Sequence, residues 1–301
     1  MSRRGWVMFI AMCVIWGIPY LLIKVADTGV SVPVLVLARV GIGAALLLPL
    51  AVRSGQLRVL LPYWRWLALF AVIEIALPWV LLSQAEKKLS SSLTGLLIAA
   101  VPLVGAVLAV VTGSDDRLDR RRLAGLLLGF AGVAALVGFE VGGGDVGAVL
   151  ALALVAVCYA TGPLILSRWL SHLPGLGVIT ASLLLTAVAY LPVGLAQAPS
   201  SWPSADVVWA VIGLAVLCTA IAFLVFFALI AEVGPTRSTV ITYVNPAVAV
   251  LLGVWLLDES FTLATALGFV LILAGSVLAT RRTTAPVAAD QREEVCVVAE
   301  P

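Results

Sequence analysis

Apolar runs long enough to cross a bilayer alternate along this 301-residue chain with short polar or glycine-rich breaks. Ten runs are read, at 7–26, 32–52, 66–84, 92–112, 123–141, 146–167, 177–195, 207–231, 238–257 and 263–280. A helix needs about 20 apolar residues to span the hydrocarbon core, and each run is close to that length. The runs are apolar on every face. A transmembrane barrel would show shorter segments of alternating polarity instead. Breaks such as Arg53-Ser54-Gly55-Gln56 and Gly142-Gly143-Gly144-Asp145 carry turn chemistry between runs. The pattern predicts an all-α integral membrane protein with ten transmembrane helices.

A longer pattern overlies the first. Pro19 matches Pro163, Lys24 matches Arg168, Pro102 matches Pro246 and Asp115 matches Glu259, all at an offset of 144 residues. At 143 residues, Pro49 matches Pro192, Gly125 matches Gly268 and Gly132 matches Gly275. Such a period is too long for a solenoid unit, so each copy is a half-protein. The expected organisation is a first five-helix repeat over 1–142, a second over 143–282, and a tail over 283–301.

Composition agrees with the pattern: 62% of residues are hydrophobic and 11% charged, which excludes a water-soluble domain. Charge adds orientation, because short cytoplasmic loops concentrate Lys and Arg. With the N-terminus inside, fourteen basic residues fall on inner segments, Arg117, Arg120, Arg121 and Arg122 among them. Three, Lys24, Lys87 and Lys88, fall outside, and Arg39 lies within a span. Both termini are therefore expected in the cytoplasm. Five helices per copy is an odd number, so the second copy enters from the opposite side and the repeats are inverted. The tail after Arg282 is rich in Thr, Ala, Pro and charge, and is expected to be disordered and cytoplasmic.

Several residues resemble a known family. Trp16-Gly17-Ile18-Pro19 in the first helix and Leu89-Ser90-Ser91-Ser92 leading to Pro102 are similar to the EamA-type branch of the drug/metabolite transporter superfamily. The second copy matches better: Val233-Gly234-Pro235-Thr236-Arg237-Ser238 leads to Asn245-Pro246, then Leu257-Asp258-Glu259, Gly268 and Gly275. In the first copy Gly113-Ser114-Asp115 replaces the usual Gly-Glu pair. The resemblance covers residues 6 to 280 and implies solute transport, often export, without naming a solute.

Charges inside spans are costly and usually face a partner or a wet cavity. Arg39 in the second helix and Glu74 in the third are the two clear cases. Two readings stay open. They form a fixed ion pair locking two helices, or they line a cavity, Arg39 meeting an acidic group of the solute and Glu74 an amine or a proton. Trp16, Tyr20, Trp79, Tyr159 and Tyr243, with Ser83, Gln84 and Asn245, supply amphipathic and polar groups at cavity depth. Pro19, Pro102, Pro163 and Pro246 interrupt helix hydrogen bonding and are candidate hinges. The spacing Gly125-x-x-x-Gly129 and the pair Gly268 and Gly275 suit close helix packing, within the chain or in a homodimer. Asp258 and Glu259 read as a solvated outer loop.

Other chemistries are set aside. No phosphate-cradling glycine loop is present, so ATP is not expected as a power source. The single His172 and four scattered cysteines give no metal constellation, and Asp115, Asp116 and Asp119, mixed into the arginine-rich 117–122 segment, argue against nucleic acid. No cofactor, metal or enzyme activity is expected. The reading is a plasma-membrane secondary transporter exporting a small organic solute, an amino acid, amine or related metabolite, by alternating access. A coupling proton and the lipid bilayer are its further partners. A metabolite importer, or a sensor or assembly subunit without transport, is the alternative.

Overall fold

The computed structural model describes residues 1–112, 119–138 and 145–280. The described residues form helices and connections, with no strand. In chain order the helices are α1 (Arg3–Ala26), α2 (Val32–Arg53), α3 (Arg58–Glu86), α4 (Ser91–Val111) and α5 (Arg120–Leu136). They continue as α6 (Val146–Leu170), α7 (Gly175–Ala196), α8 (Ala205–Val233), α9 (Ile241–Leu256) and α10 (Leu263–Thr280). Eight are long and apolar enough to cross a membrane, and α9 is a shorter apolar helix. The remaining helix, α5, has 17 residues and opens on three arginines. The tail at 283–301, the glycine break at 142–144 and Asp115 lie outside the described residues.

Helix starts follow local chemistry. Ser2, Ser90 and Asp119 accept hydrogen bonds from the first-turn amides of α1, α4 and α5, satisfying donors that the helix cannot. Gly234, at φ +83°, ends α8 in a conformation that needs no Cβ. The third helix departs from expectation: it runs Arg58–Glu86 rather than 66–84. A 3-10 turn over Arg58–Tyr63 leads in, and the polar end Ser83-Gln84-Ala85-Glu86 stays helical. Glu86 is thereby brought inside a span.

The prolines differ between the two halves. Pro19 and Pro102 open the second segments of interrupted helices, Pro19–Ala26 and Val101–Val111. Pro163 and Pro246 instead sit inside continuous segments, Val146–Ile165 and Ile241–Leu256.

Four pairs lead the packing: α5 with α10, α2 with α7, α3 with α6, and α1 with α8. Exchanging the first five helices with the last five maps this set onto itself. A central core joins Tyr20, Leu35, Leu96, Leu152, Leu214 and Ala249 from six helices. The α5–α10 contact is backbone against backbone. A Cβ on Gly125 would stand 2.6 Å from the Ala279 amide nitrogen, and one on Gly132 would stand 2.9 Å from the Gly268 carbonyl.

Candidate functional site

Arg39 on α2 is 8% exposed. Its Nε donates to Thr219 Oγ1 of α8 at 3.1 Å, and its guanidinium carbon lies 3.6 Å from the centroid of the Trp79 ring on α3. A desolvated cation over an indole is stabilised by about 2 kcal/mol. A guanidinium has five N–H groups, and the structure records a hydrogen bond for the Nε one alone. Tyr20 of α1, Tyr159 of α6, Cys218 of α8 and Glu86 of α3 lie within its electrostatic reach. Five helices thus converge on one cation with uncommitted donors.

The position of Thr219 depends on a local irregularity. One turn of α8, Val216–Ile221, is a π turn, and so is Ala71–Ala76 of α3. A π turn frees a carbonyl from the ordinary i to i+4 pattern. Thr219 Oγ1 donates to the carbonyl of Leu214, five residues back, at 2.8 Å while accepting from Arg39. Thr219 and Glu74 are each the fourth residue of their π turn.

Arg39 and Glu74 form no ion pair; among the described residues the recorded one is Lys88 with Asp145, at 3.5 Å. Glu74 faces α6: a Cβ on Gly162 would collide with its Oε2 atom, which is buried without a hydrogen-bond partner. Tyr159 stands within electrostatic reach of both Glu74 and Arg39. Of the two open readings, the fixed ion pair is removed.

At the α3–α4 end of the bundle, Glu259 belongs to the α9–α10 connection but lies against α4. Its carboxylate accepts from the Ser91 and Ser92 amides at 2.7 and 2.9 Å and from their hydroxyls at 3.1 and 2.5 Å. A carboxylate at a helix N-terminus is favoured both by the orphan amides and by the helix dipole. Asp258 precedes it with φ 53°, a left-handed conformation that Asp tolerates and that aims the next residue at α4. The expected solvated outer loop is therefore corrected at Glu259, which ties the two halves of the chain together. A recess of about 340 Å³ beside it is lined by Lys88, Ser90, Asp145 and Ser260.

Beneath this contact lies Glu86, fully buried, with no partner for either carboxylate oxygen. The Lys24 ammonium donates to the main-chain carbonyls of Glu86 and Leu89, at 2.5 and 2.8 Å. Asp27, just beyond α1, also holds two buried, unpartnered carboxylate oxygens, and its burial pushes its pKa up to about 6 against the pull of Lys87 and Lys24. A span ending at 84 leaves Glu86 out; the signal in the sequence is a carboxylate two residues beyond an apolar run.

The other expected site residues divide. Tyr20, Trp79 and Tyr159 gather around Arg39. Trp16 packs on Phe223 and Phe226, 6.0 and 4.7 Å between ring centroids. The Asn245 amide donates to the Cys13 and Ile241 carbonyls at 3.1 and 2.9 Å in the orientation its neighbours require. Tyr243 bonds Thr280 at 2.9 Å, Ser83 is buried and Gln84 is exposed. At the α2–α3 end, a second recess of about 520 Å³ is lined by Ser54, Gln56, Tyr63, His172 and Pro174. Neither recess has Arg39 in its lining.

Helices long and apolar enough to cross a membrane thus enclose between them a cation stacked on an indole, with donors left uncommitted. The profile of the EamA-like transporter family matches residues 3–138 and again 146–281. The chain belongs to that family. It is 29% identical over 278 residues to the uncharacterized inner membrane transporter YedA of Escherichia coli K12, covering 90% of this chain and 88% of that protein. It is likewise 29% identical over 301 residues to a probable terminal-alkyne amino-acid exporter of Streptantibioticus cattleyicolor, covering 94% and 95%. The uncharacterized transporter YvbV of Bacillus subtilis is 26% identical over 283 residues, covering 92% of this chain and 91% of its own. A solved crystal structure with a TM-score of 0.65 covers 93% of this chain and 97% of its own at 24% identity, a likeness of fold.

Proposed function

We propose that this protein is a secondary active transporter that exports a small amino-acid-like solute across the plasma membrane by alternating access. The observation that carries the reading is Arg39: a buried guanidinium, stacked on Trp79, with one recorded hydrogen bond and donors left for an anionic group. A carboxylate fits a guanidinium in two parallel hydrogen bonds. Tyr20, Trp79 and Tyr159 would flank the solute's apolar body, and Glu74 would line the wall beside Tyr159. Amino-acid export is in the name of one relative, at 29% identity.

In this reading all ten helices span the membrane, as two inverted five-helix repeats over 1–142 and 143–282. Both termini and the 283–301 tail lie in the cytoplasm. The self-mapping of the packing pairs, and π turns at equivalent places in α3 and α8, support a two-fold relation. Pro19, Pro102, Pro163 and Pro246 are the hinges about which one half rocks against the other.

The test is metabolite profiling of medium and cell extract from cells overexpressing the wild-type chain or Arg39→Ala. One solute class should rise outside and fall inside with the wild type alone. Equal pools in both strains would refute export through this site.

A further inference from the structure

We infer that the recess at the α2–α3 end of the bundle is a binding site for an anionic phospholipid, taking its phosphate headgroup while the acyl chains lie against Val59, Leu61 and Trp64.

The recess, of about 520 Å³, is one cavity built from both halves of the chain. Ser54, Gln56, Val59 and Tyr63 come from the α2–α3 connection and the 3-10 turn that opens α3, and His172 and Pro174 from the α6–α7 connection. Two contacts fix its walls. Gln56 Oε1 accepts from the Gly177 amide at 3.0 Å, and the Tyr63 and His172 rings meet edge to face with centroids 4.8 Å apart. A phenol hydroxyl and an imidazole N–H are donors, and for neither ring is a hydrogen bond recorded among the described residues.

Charge selects the ligand. Arg53 ends α2 beside Ser54, Arg58 precedes Val59, and Arg65 and Arg168 follow close behind; all four are exposed. No Asp or Glu occurs between Asp27 and Glu74, or between Asp145 and Asp206. None of these four arginines is in a recorded salt bridge. The acids that other helices bring to this end, Asp119 of α5 and Glu232 of α8, accept from the Arg122 amide and the Ser2 hydroxyl. Unneutralised guanidinium groups around a recess that offers hydroxyl and ring N–H donors suit a phosphate.

The surroundings make that phosphate a lipid's. Val59, Leu61 and Trp64 are 51, 73 and 61% exposed and are interleaved with Arg58 and Arg65. One turn on from the Tyr63–His172 pair, Trp66 and Trp169 stack with centroids 4.1 Å apart. Arg65 and Arg168 lie 5.6 and 5.3 Å from the Trp64 and Trp169 rings. Indoles gather at the membrane–water interface at headgroup level, so the recess opens at the depth of the lipid phosphates. A soluble anion would meet the cations and leave the apolar rim uncovered. Because its walls belong to both halves, a lipid seated there bridges them. Lipid binding here needs no transported solute, so its test stands apart from that of the transport reading.

Purified full-length protein in uncharged detergent micelles is titrated with dioctanoyl-phosphatidylglycerol, dioctanoyl-phosphatidylcholine and glycerol phosphate, following Tm and, by native mass spectrometry, bound lipid. The expected result is saturable binding of phosphatidylglycerol that raises Tm, with no binding of the other two at the same concentration. Each arginine near an anionic headgroup contributes about fivefold in affinity, so joint Arg53→Gln and Arg58→Gln should weaken binding about twenty-five-fold. His172→Phe keeps a ring against Tyr63 but loses the N–H, and should weaken it too. Arg120→Gln with Arg121→Gln removes the same charge at the start of α5 and should leave it unchanged. Equal loss with the α5 pair would mean diffuse attraction, and equal affinity for phosphatidylcholine would mean acyl-chain contact alone. Equal binding of glycerol phosphate would make this a site for a soluble anion. Each of these outcomes, or no saturable binding by the wild type, would overturn the inference. Should the Arg53 and Arg58 variant not fold, the wild-type preference among the three probes decides.

Discussion

Replacing Gly275 by Ala tests the packing of α10 on α5. A Cβ at this position would stand 2.5 Å from Gly129 Cα and 2.6 Å from the Gly125 carbonyl oxygen, with the Gly129 amide nitrogen closer still. All three are backbone atoms, so no rotamer change can relieve the overlap and the helices must separate. In an exposed helix the same substitution would stabilise by up to about 1 kcal/mol, because Ala has the higher helix propensity. Overpacking a close-packed contact costs about 1–3 kcal/mol, and a rigid backbone partner puts this site at the upper end. The net expectation is a loss of about 2 kcal/mol. At roughly 2–4 °C per kcal/mol for a chain of this order, Tm in lipid nanodiscs should fall by about 4–8 °C. Gly41→Ala is the control, since a Cβ there meets nothing within 4 Å. If Gly275→Ala melted at or above the wild type, as Gly41→Ala should, the proposed backbone contact between α5 and α10 would be wrong.

Two further outcomes follow from the α3–α4 end. Glu259→Ala removes the acceptor of four hydrogen bonds at the start of α4 and should cost about 2 kcal/mol. Glu259→Gln, which keeps one acceptor oxygen, should cost less, and equal melting of both variants and the wild type would show that the contact does not hold. Asp27 titrates at about 6 in the folded chain against 3.8 as an ordinary carboxyl, so the folded state binds its proton more tightly. Its contribution to stability is therefore full below about pH 4 and is lost as pH rises toward 6. Tm measured across that window should fall with pH in the wild type, with a shallower slope in Asp27→Asn; parallel slopes would rule out Asp27 as the source.

The apolar runs were legible because bilayer thickness fixes their length, and nine of the ten expected spans begin within a few residues of an observed helix. The third did not, since Arg58 and Arg65 flank aromatic residues that look like a boundary while the helix continues through them. Arg39 and Trp79, which the structure stacks together, could be picked out as candidates because a charge and an indole inside a span are conspicuous. Thr219 could not: a lone Thr in an apolar run looks like packing, and its role depends on a π turn that hydropathy does not record. Tyr243 and Asn245 had the right chemistry and depth, but helix rotation directs them to Thr280 and to α1. Rotation about the axis is the quantity that helices apolar on every face conceal.

The wide turn at Val216–Ile221 makes the site sensitive to chain length as well as to residue type. In a regular helix each residue advances about 100° around the axis. Deleting one residue from that turn, and so restoring the regular helix, would swing Thr219 away from Arg39 by roughly that angle and leave the guanidinium with its ring contact alone. Among related chains, then, a gap of one position in the eighth helix would undo the Arg39–Thr219 contact even where both side chains were retained.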